Sequence, residues 1–201
     1  MLTATRSAEA NEAMSASAPA RETVVHRAYT RAHTRRFAVE AVFFFVLAVG
    51  GGLLAWGGHF ATNMVHDQLA QQKISFPAAG TKALDPAEFP GLQQYAGQAV
   101  DNGPKAKAYA NEFIGKHLES VAGGKTYSEV SSAAQADPTN QQLAGQANTL
   151  FKGETLRGLL LYAWGWSVVA RIALIVSWAA FAGAFIVLAA IVYSLVRPEH
   201  A

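Results

Sequence analysis

The sequence predicts an all-α membrane protein: a two-span transmembrane helical hairpin with long stalk helices and a small extracytoplasmic helical domain. Three observations lead there. Only 15% of the 201 residues are Asp, Glu, Lys or Arg, where a soluble chain carries about 25%. Those charges avoid two segments completely, 41–62 and 172–196. Uncharged, mostly apolar runs of about 18 residues or more are what a helix needs to cross a bilayer. Between the two runs, helix caps and breakers recur and no strand-like alternation of convincing length appears. The composition excludes a soluble enzyme and a wholly disordered chain.

The chain opens on residues 1–36, expected to be a disordered basic cytoplasmic tail. The first 25 or so are Ala, Ser, Glu and Thr without apolar periodicity. The next stretch turns basic and aromatic, through His26, Arg27, Tyr29, Arg31, His33, Arg35 and Arg36. Next to a span, such a stretch is drawn to anionic lipid by about 1 kcal/mol per basic residue. It is too short, and has no fold to present it, to bind nucleic acid, so none is expected as a partner. The pair Arg35-Arg36 before Phe37 resembles the opening of some bacterial export signals. The segment beyond Phe37 is too long and apolar for a cleavable region and offers no small-x-small cleavage site, which favours a retained signal-anchor helix.

The first transmembrane helix is placed at 37–58, through Phe43, Phe44, Phe45, Val46 and Leu47, with Trp56 at the outer interface. Gly50-Gly51-Gly52 would weaken a helix facing only lipid, but small residues let a second backbone approach. Two small-xxx-small pairs, Ala48 with Gly52 and Gly51 with Ala55, stand on this span, and Ala179 with Gly183 stands on the second. Gly51, Gly52, Ala55, Ala179 and Gly183 are therefore the expected contacts between antiparallel spans. Arg31, Arg35 and Arg36 precede the first span and Arg197 follows the second, so both termini are expected in the cytoplasm. The long middle region balances eight basic against nine acidic residues and is expected outside. This is the arrangement of a multi-pass protein of a bacterial plasma membrane.

A stalk helix is expected over 59–75, since no Pro or Gly occurs between His59 and Ile74. The external helical domain is assigned to 76–149. Asp85-Pro86-Ala87-Glu88 has the form of a helix start, as does Gly103-Pro104. From the latter, Ala106, Tyr109, Phe113, Ile114, Leu118 and Val121 recur at helical spacing until Gly123-Gly124 breaks the run. Thr126 and Glu129 form a capping box, and Asp137-Pro138 is expected to open the helix that continues toward the membrane. A stalk or interfacial helix over 150–171 leads to the second transmembrane helix, 172–196, and a short cytoplasmic tail, 197–201. Arg171 is placed at the outer interface, because at mid-bilayer a charge costs at least about 2.5–3.5 kcal/mol. The alternative places the span at 159–176 with Arg171 inside.

Candidate chemistry is sparse. Without cysteine, disulfides, iron–sulfur clusters and thiolate zinc sites are excluded. Gly123-Gly124-Lys125-Thr126 looks like the end of a phosphate-binding loop, but Glu119 stands where that loop requires glycine and the preceding segment reads as helix. His59 and His66 share a helix face about 10 Å apart, whereas two histidines on one helix need an i, i+4 spacing to hold one ion. His117 reads as part of a solvated helix face. No glycine-framed serine and no pair of carboxylates in an apolar setting is present. No catalytic residue, no metal and no cofactor is expected.

Three ordered segments carry a resemblance. They are Pro104 to His117 (PKAKAYANEFIGKH), Gly123 to Glu129 (GGKTYSE) and Leu150 to Arg157 (LFKGETLR). Together they resemble an uncharacterised family of two-span actinobacterial membrane proteins, over about residues 40–196. The resemblance implies an external Ala-rich helix ending at His117, a turn formed by Gly123, Gly124, Lys125, Thr126 and Tyr127, and Arg157 ahead of the second span. Some relatives carry an aromatic-ring-opening dioxygenase label; this chain lacks a cluster of His and carboxylate ligands for non-haem iron. The expected function is a non-enzymatic integral membrane protein of the cell envelope, acting as an accessory or scaffold subunit. Its partners would be the lipid bilayer and a membrane-protein complex or a second copy. The alternatives are a ligand-sensing or transport-accessory protein, or an enzyme with a site near His59, His66 or Arg171.

Overall fold

The computed structural model describes the backbone over residues 2–196 and side chains over residues 34–196. The fold is all-α. Helix α1 covers Leu2–Gln71, α2 Gly103–Ala108, α3 Gly115–Ala122, α4 Tyr127–Ala136 and α5 Gln141–Val196. One wide turn, Tyr109–Ile114, joins α2 to α3. Among the described residues the β-type pairing is a single bridge between Ser75 and Ala99. The disordered tail expected over 1–36 falls largely on residues whose side chains lie outside the described set; helix α1 opens at Leu2. The cytoplasmic tail expected over 197–201 lies outside the described residues.

The chain divides into two compact units, Met1–Gly52 with Trp178–Ala201, and Leu53–Ser177. In the first, α1 and α5 make an antiparallel pair. A Cβ built on Gly51 would lie 3.2 Å from the Phe181 ring and 3.3 Å from the Ala180 Cβ, and one on Gly183 would lie 3.3 Å from Leu47. Most other side chains turn outward; Phe43, Phe45, Val46, Phe185 and Ile186 are each more than half exposed. Gly52 has nothing within 4 Å, Ala55 is half-buried, and Ala179 is exposed. Ala180 therefore stands where Ala179 was expected, and Gly51 meets Ala180 and Phe181 rather than Gly183. The reason lies in the spacing of the buried stripe. In this unit the buried residues of α5 are Ala184 and Ile191, seven apart, and that of α1 is Gly51. That is the repeat of a helix seam, and a notch read from Ala179 is turned about 100° away from it.

In the second unit, the C-terminal part of α1 contributes Val65 and Leu69 to a core that includes Phe76, Leu84, Phe89, Leu92, Val100, Ala106, Leu150 and Leu160. Helix α1 stops at Gln71, short of the expected end at residue 75, because Lys73 takes a left-handed conformation with φ 54°. The chain then crosses the core as a loop with two short 3-10 turns, Lys82–Leu84 and Pro90–Tyr95. The helix expected from Asp85-Pro86 does not form. The Asp85 Oδ1 accepts from the Ala87 N–H at 2.8 Å, a local turn, and Pro90 comes within the next turn, which keeps Phe89 out of helical geometry at φ −122°. Gln93 ties the segment together by donating to the Leu84 and Phe89 carbonyls, both at 3.0 Å.

The other breaks obey local chemistry. Gly103 and Pro104 do open α2, with the Asn102 side chain accepting from the Lys105 N–H. Helix α5 starts at Gln141, three residues beyond the expected Asp137-Pro138. There Asn140 Oδ1 accepts from the Leu143 N–H at 3.1 Å, while Asp137 closes α4. An asparagine cap with a well-placed acceptor thus sets the start of the helix. This compact unit takes in both expected stalks along with the expected external domain.

Candidate functional site

Five residues marked by the family resemblance come together in the second unit. Gly124, Lys125, Thr126, Tyr127 and Arg157 line one open cleft of about 560 Å³, with Asn111, Lys116, Glu119 and Glu154 on its other walls. The floor is set by how α3 ends. Gly123 and Gly124 take φ of 59° and 78°, in the left-handed region that glycine enters without steric cost, and the Gly124 N–H returns to the Glu119 carbonyl at 3.0 Å. The chain then enters α4 through a complete capping box. Glu129 Oε2 accepts from the Thr126 N–H at 2.7 Å and from its hydroxyl at 2.8 Å, and the Glu129 N–H donates back to Thr126 Oγ1. Those bonds, that from the backbone N–H first, hold the Glu129 carboxyl below the ordinary glutamate range. They also occupy the donors that a phosphate-binding loop would present, so Gly123 to Thr126 works as a helix break and cap.

The opposite wall is α5. Arg157 donates through one Nη to both oxygens of Glu154, each at 3.0 Å, and through the other to Asn111 Oδ1 at 3.4 Å. Its Nε is buried without a partner. Lys116, Lys125, Arg157, Glu119 and Glu154 are the charged residues of its lining. This is a polar, charge-mixed recess with a slight cationic excess, able to hold a small polar molecule. It contains no paired nucleophile and base.

His117 and Gly123 are not among the residues lining this cleft. The His117 Nδ1 donates to the Phe113 carbonyl at 2.9 Å, since a carbonyl can only accept. Its exposed ring stacks on Phe89 at 5.8 Å between centroids and lies 4.6 Å from Phe113. Lys116 also lies over the Phe89 ring and donates to the Glu88 carbonyl. Together they pin the 76–100 loop to α3, a role that one-dimensional spacing did not reveal. The same aromatic row continues through Tyr109, 4.8 Å from Phe113 and 5.1 Å from Phe76, and burial pushes the Tyr109 phenol up.

Of the remaining candidates, His59 is exposed. His66 Nδ1 donates to the Asp101 carbonyl at 2.9 Å. Among the described residues no three His, Cys, Asp or Glu side chains gather as they would around a metal ion. Glu154 is engaged by Arg157. Comparison with family models, curated proteins and solved structures finds no match.

The capping box gives a direct test of the cleft's floor. Thr126→Ala should destabilise the unit by about 1 kcal/mol at neutral pH, the ordinary value of a threonine cap. Because the folded Glu129 pKa is lowered, its contribution is present above the ordinary glutamate range and lost as pH falls through the lowered value. The variant's melting temperature should therefore be less sensitive to acid than that of the parent, and parallel curves down to about pH 3 would show that the box contributes nothing.

Proposed function

We propose that the protein is a non-enzymatic, two-span membrane protein of the bacterial envelope, a member of the actinobacterial family it resembles. In this reading it acts as a scaffold or accessory subunit, with both termini in the cytoplasm and the unit Leu53–Ser177 presented chiefly outside. The single observation that carries this is the surface of two helices. Residues 34–71 of α1 and all of α5 are long and apolar enough to cross a membrane, and only 6% and 17% of their most apolar windows is buried within the protein. A soluble protein's core helix would bury that surface. Lipid is the solvent that leaves such side chains at low cost.

A scaffold is favoured because the polar recess lacks the paired groups of a catalyst, and because the aromatic row and caps hold the outer unit as an ordered body for a partner. The buried, unpartnered Nε of Arg157 beside an open cleft favours a second reading, a ligand-sensing or transport-accessory protein. Reporter fusions test the topology: one after Arg197 should be active in the cytoplasm and one inserted at the exposed turn of Gly80 active outside, and the reverse pattern would overturn the reading. Purification in mild detergent separates the two roles. A reproducible partner complex supports the scaffold, and an isolated chain carrying a small polar molecule supports the sensor.

A further inference from the structure

We propose that Arg171, His66 and Lys105 form a site for the phosphodiester headgroup of an anionic phospholipid, in a cleft distinct from the one described above. This rests on the membrane reading, since it needs Arg171 at the level of the lipid phosphates. The cleft measures about 740 Å³ and is walled by α1, α5 and the loop ahead of α2; Val65, Pro104, Tyr95 and Leu174 make its apolar side.

The donors and acceptors that line it are unequal. Asp101 supplies the carboxylate, and it is already engaged, accepting from Lys105 Nζ at 3.0 Å and from Asn102 at 2.9 Å. The hydroxyls of Thr62 and Ser167 spend their hydrogens on the carbonyls of Gly58 and Trp164 in their own helices. His66 uses its Nδ1–H on the Asp101 carbonyl, which leaves Nε2 as an acceptor, suited to a headgroup hydroxyl rather than to a phosphate oxygen. Arg171 is exposed and makes no hydrogen bond or ion pair with any described residue. The lysines here are occupied, Lys105 by Asp101 at 3.0 Å and Lys107 by the face of Trp164 at 4.5 Å. The cleft therefore has the free positive charge and N–H groups of Arg171 without a free anion.

Position selects the ligand. Arg171 is the last charge before the run 172–196, and Trp164 and Trp166 flank it on the outer side, the residues that settle at the headgroup level. A guanidinium binds a phosphate through two parallel N–H donors. The apolar wall suits the glycerol and upper acyl carbons that a free phosphate does not have. A phospholipid fills both halves of the cleft.

The test uses the full chain purified in mild detergent, with native mass spectrometry to count retained lipid. Matched-chain phosphatidylglycerol should be retained at one molecule per chain in preference to phosphatidylcholine, and Arg171→Gln should weaken that retention about tenfold or more. Lys152→Gln, an exposed cation away from the cleft, should leave it unchanged, and Arg171→Lys should keep part of it. Circular dichroism and melting check that the variants fold. Equal retention of the two lipids by the parent protein overturns the proposal whatever the variants do. So does displacement of the lipid by millimolar inorganic phosphate, which would mark a site for free anions. If the Gly80 reporter is active outside while phosphatidylglycerol gains no preference, this inference fails and the topology stands; if that reporter is active inside, the membrane reading itself fails.

Discussion

Leu92→Ala should destabilise the unit Leu53–Ser177 by about 3–4 kcal/mol and lower its melting temperature by on the order of 10 °C. Leu92 and Leu84 have no solvent exposure. They are carried on a stretch between α1 and α2 whose regular structure amounts to two short 3-10 turns. Its backbone bonds are mostly within local turns, and those that join its two ends run from Phe76 N–H to the Gln98 carbonyl, from Gly97 N–H to Pro77 and from Val100 N–H to Ile74. Its fixed path over the helices therefore depends on side chains that enter the core. Truncating one removes the transfer energy of three carbons and leaves a cavity between helices that cannot close fully. Melting monitored by circular dichroism in detergent reads the effect. A loss below about 1 kcal/mol would mean that the loop collapses into the space, and so that it is not held rigidly.

Gly58→Leu should be the most damaging substitution on the α1–α5 contact of the same unit. A Cβ at Gly58 would stand 2.7 and 2.9 Å from carbons of Leu174 and 3.0 Å from the Ala170 carbonyl oxygen. The leucine can rotate, but the carbonyl belongs to the helix backbone, so the two helices must separate to admit any side chain. Overpacking of this kind costs about 1–3 kcal/mol, and a branched side chain belongs at the upper end. Gly57 supplies the control, since nothing lies within 4 Å of its Cβ position. Gly57→Leu should stay within about 0.5 kcal/mol of the parent. Equal melting temperatures for the two variants would show that the helices do not approach at Gly58.

The parts of the fold legible in the sequence are those whose chemistry closes within about four residues. The two charge-free runs specify apolar helices by composition. Gly123-Gly124 and the Thr126–Glu129 box end one helix and begin the next through bonds to their immediate neighbours, and Gly103-Pro104 opens α2 in the same way. Where two local signals compete, the better-placed acceptor or the nearer proline decides, which is why Asp85-Pro86 yields to Pro90 and Asp137-Pro138 to Asn140.

The tertiary structure alone decided whatever depends on register between distant segments. Small residues on one helix show that a close approach is possible, but one residue is 100° of rotation. The choice of Ala180 over Ala179 therefore depends on where α1 presents Gly51. Thirty residues separate Tyr127 from Arg157, and only the return of α5 past α3 brings them to one cleft. His117 lies 28 residues from Phe89 in sequence and stacks on it in space. Arg171 reads in the sequence as a charge at the edge of a span, and folding shows it unpartnered beside His66 and Lys105. Contacts between segments that far apart are set by the packing of whole helices, and no short stretch of sequence contains that information.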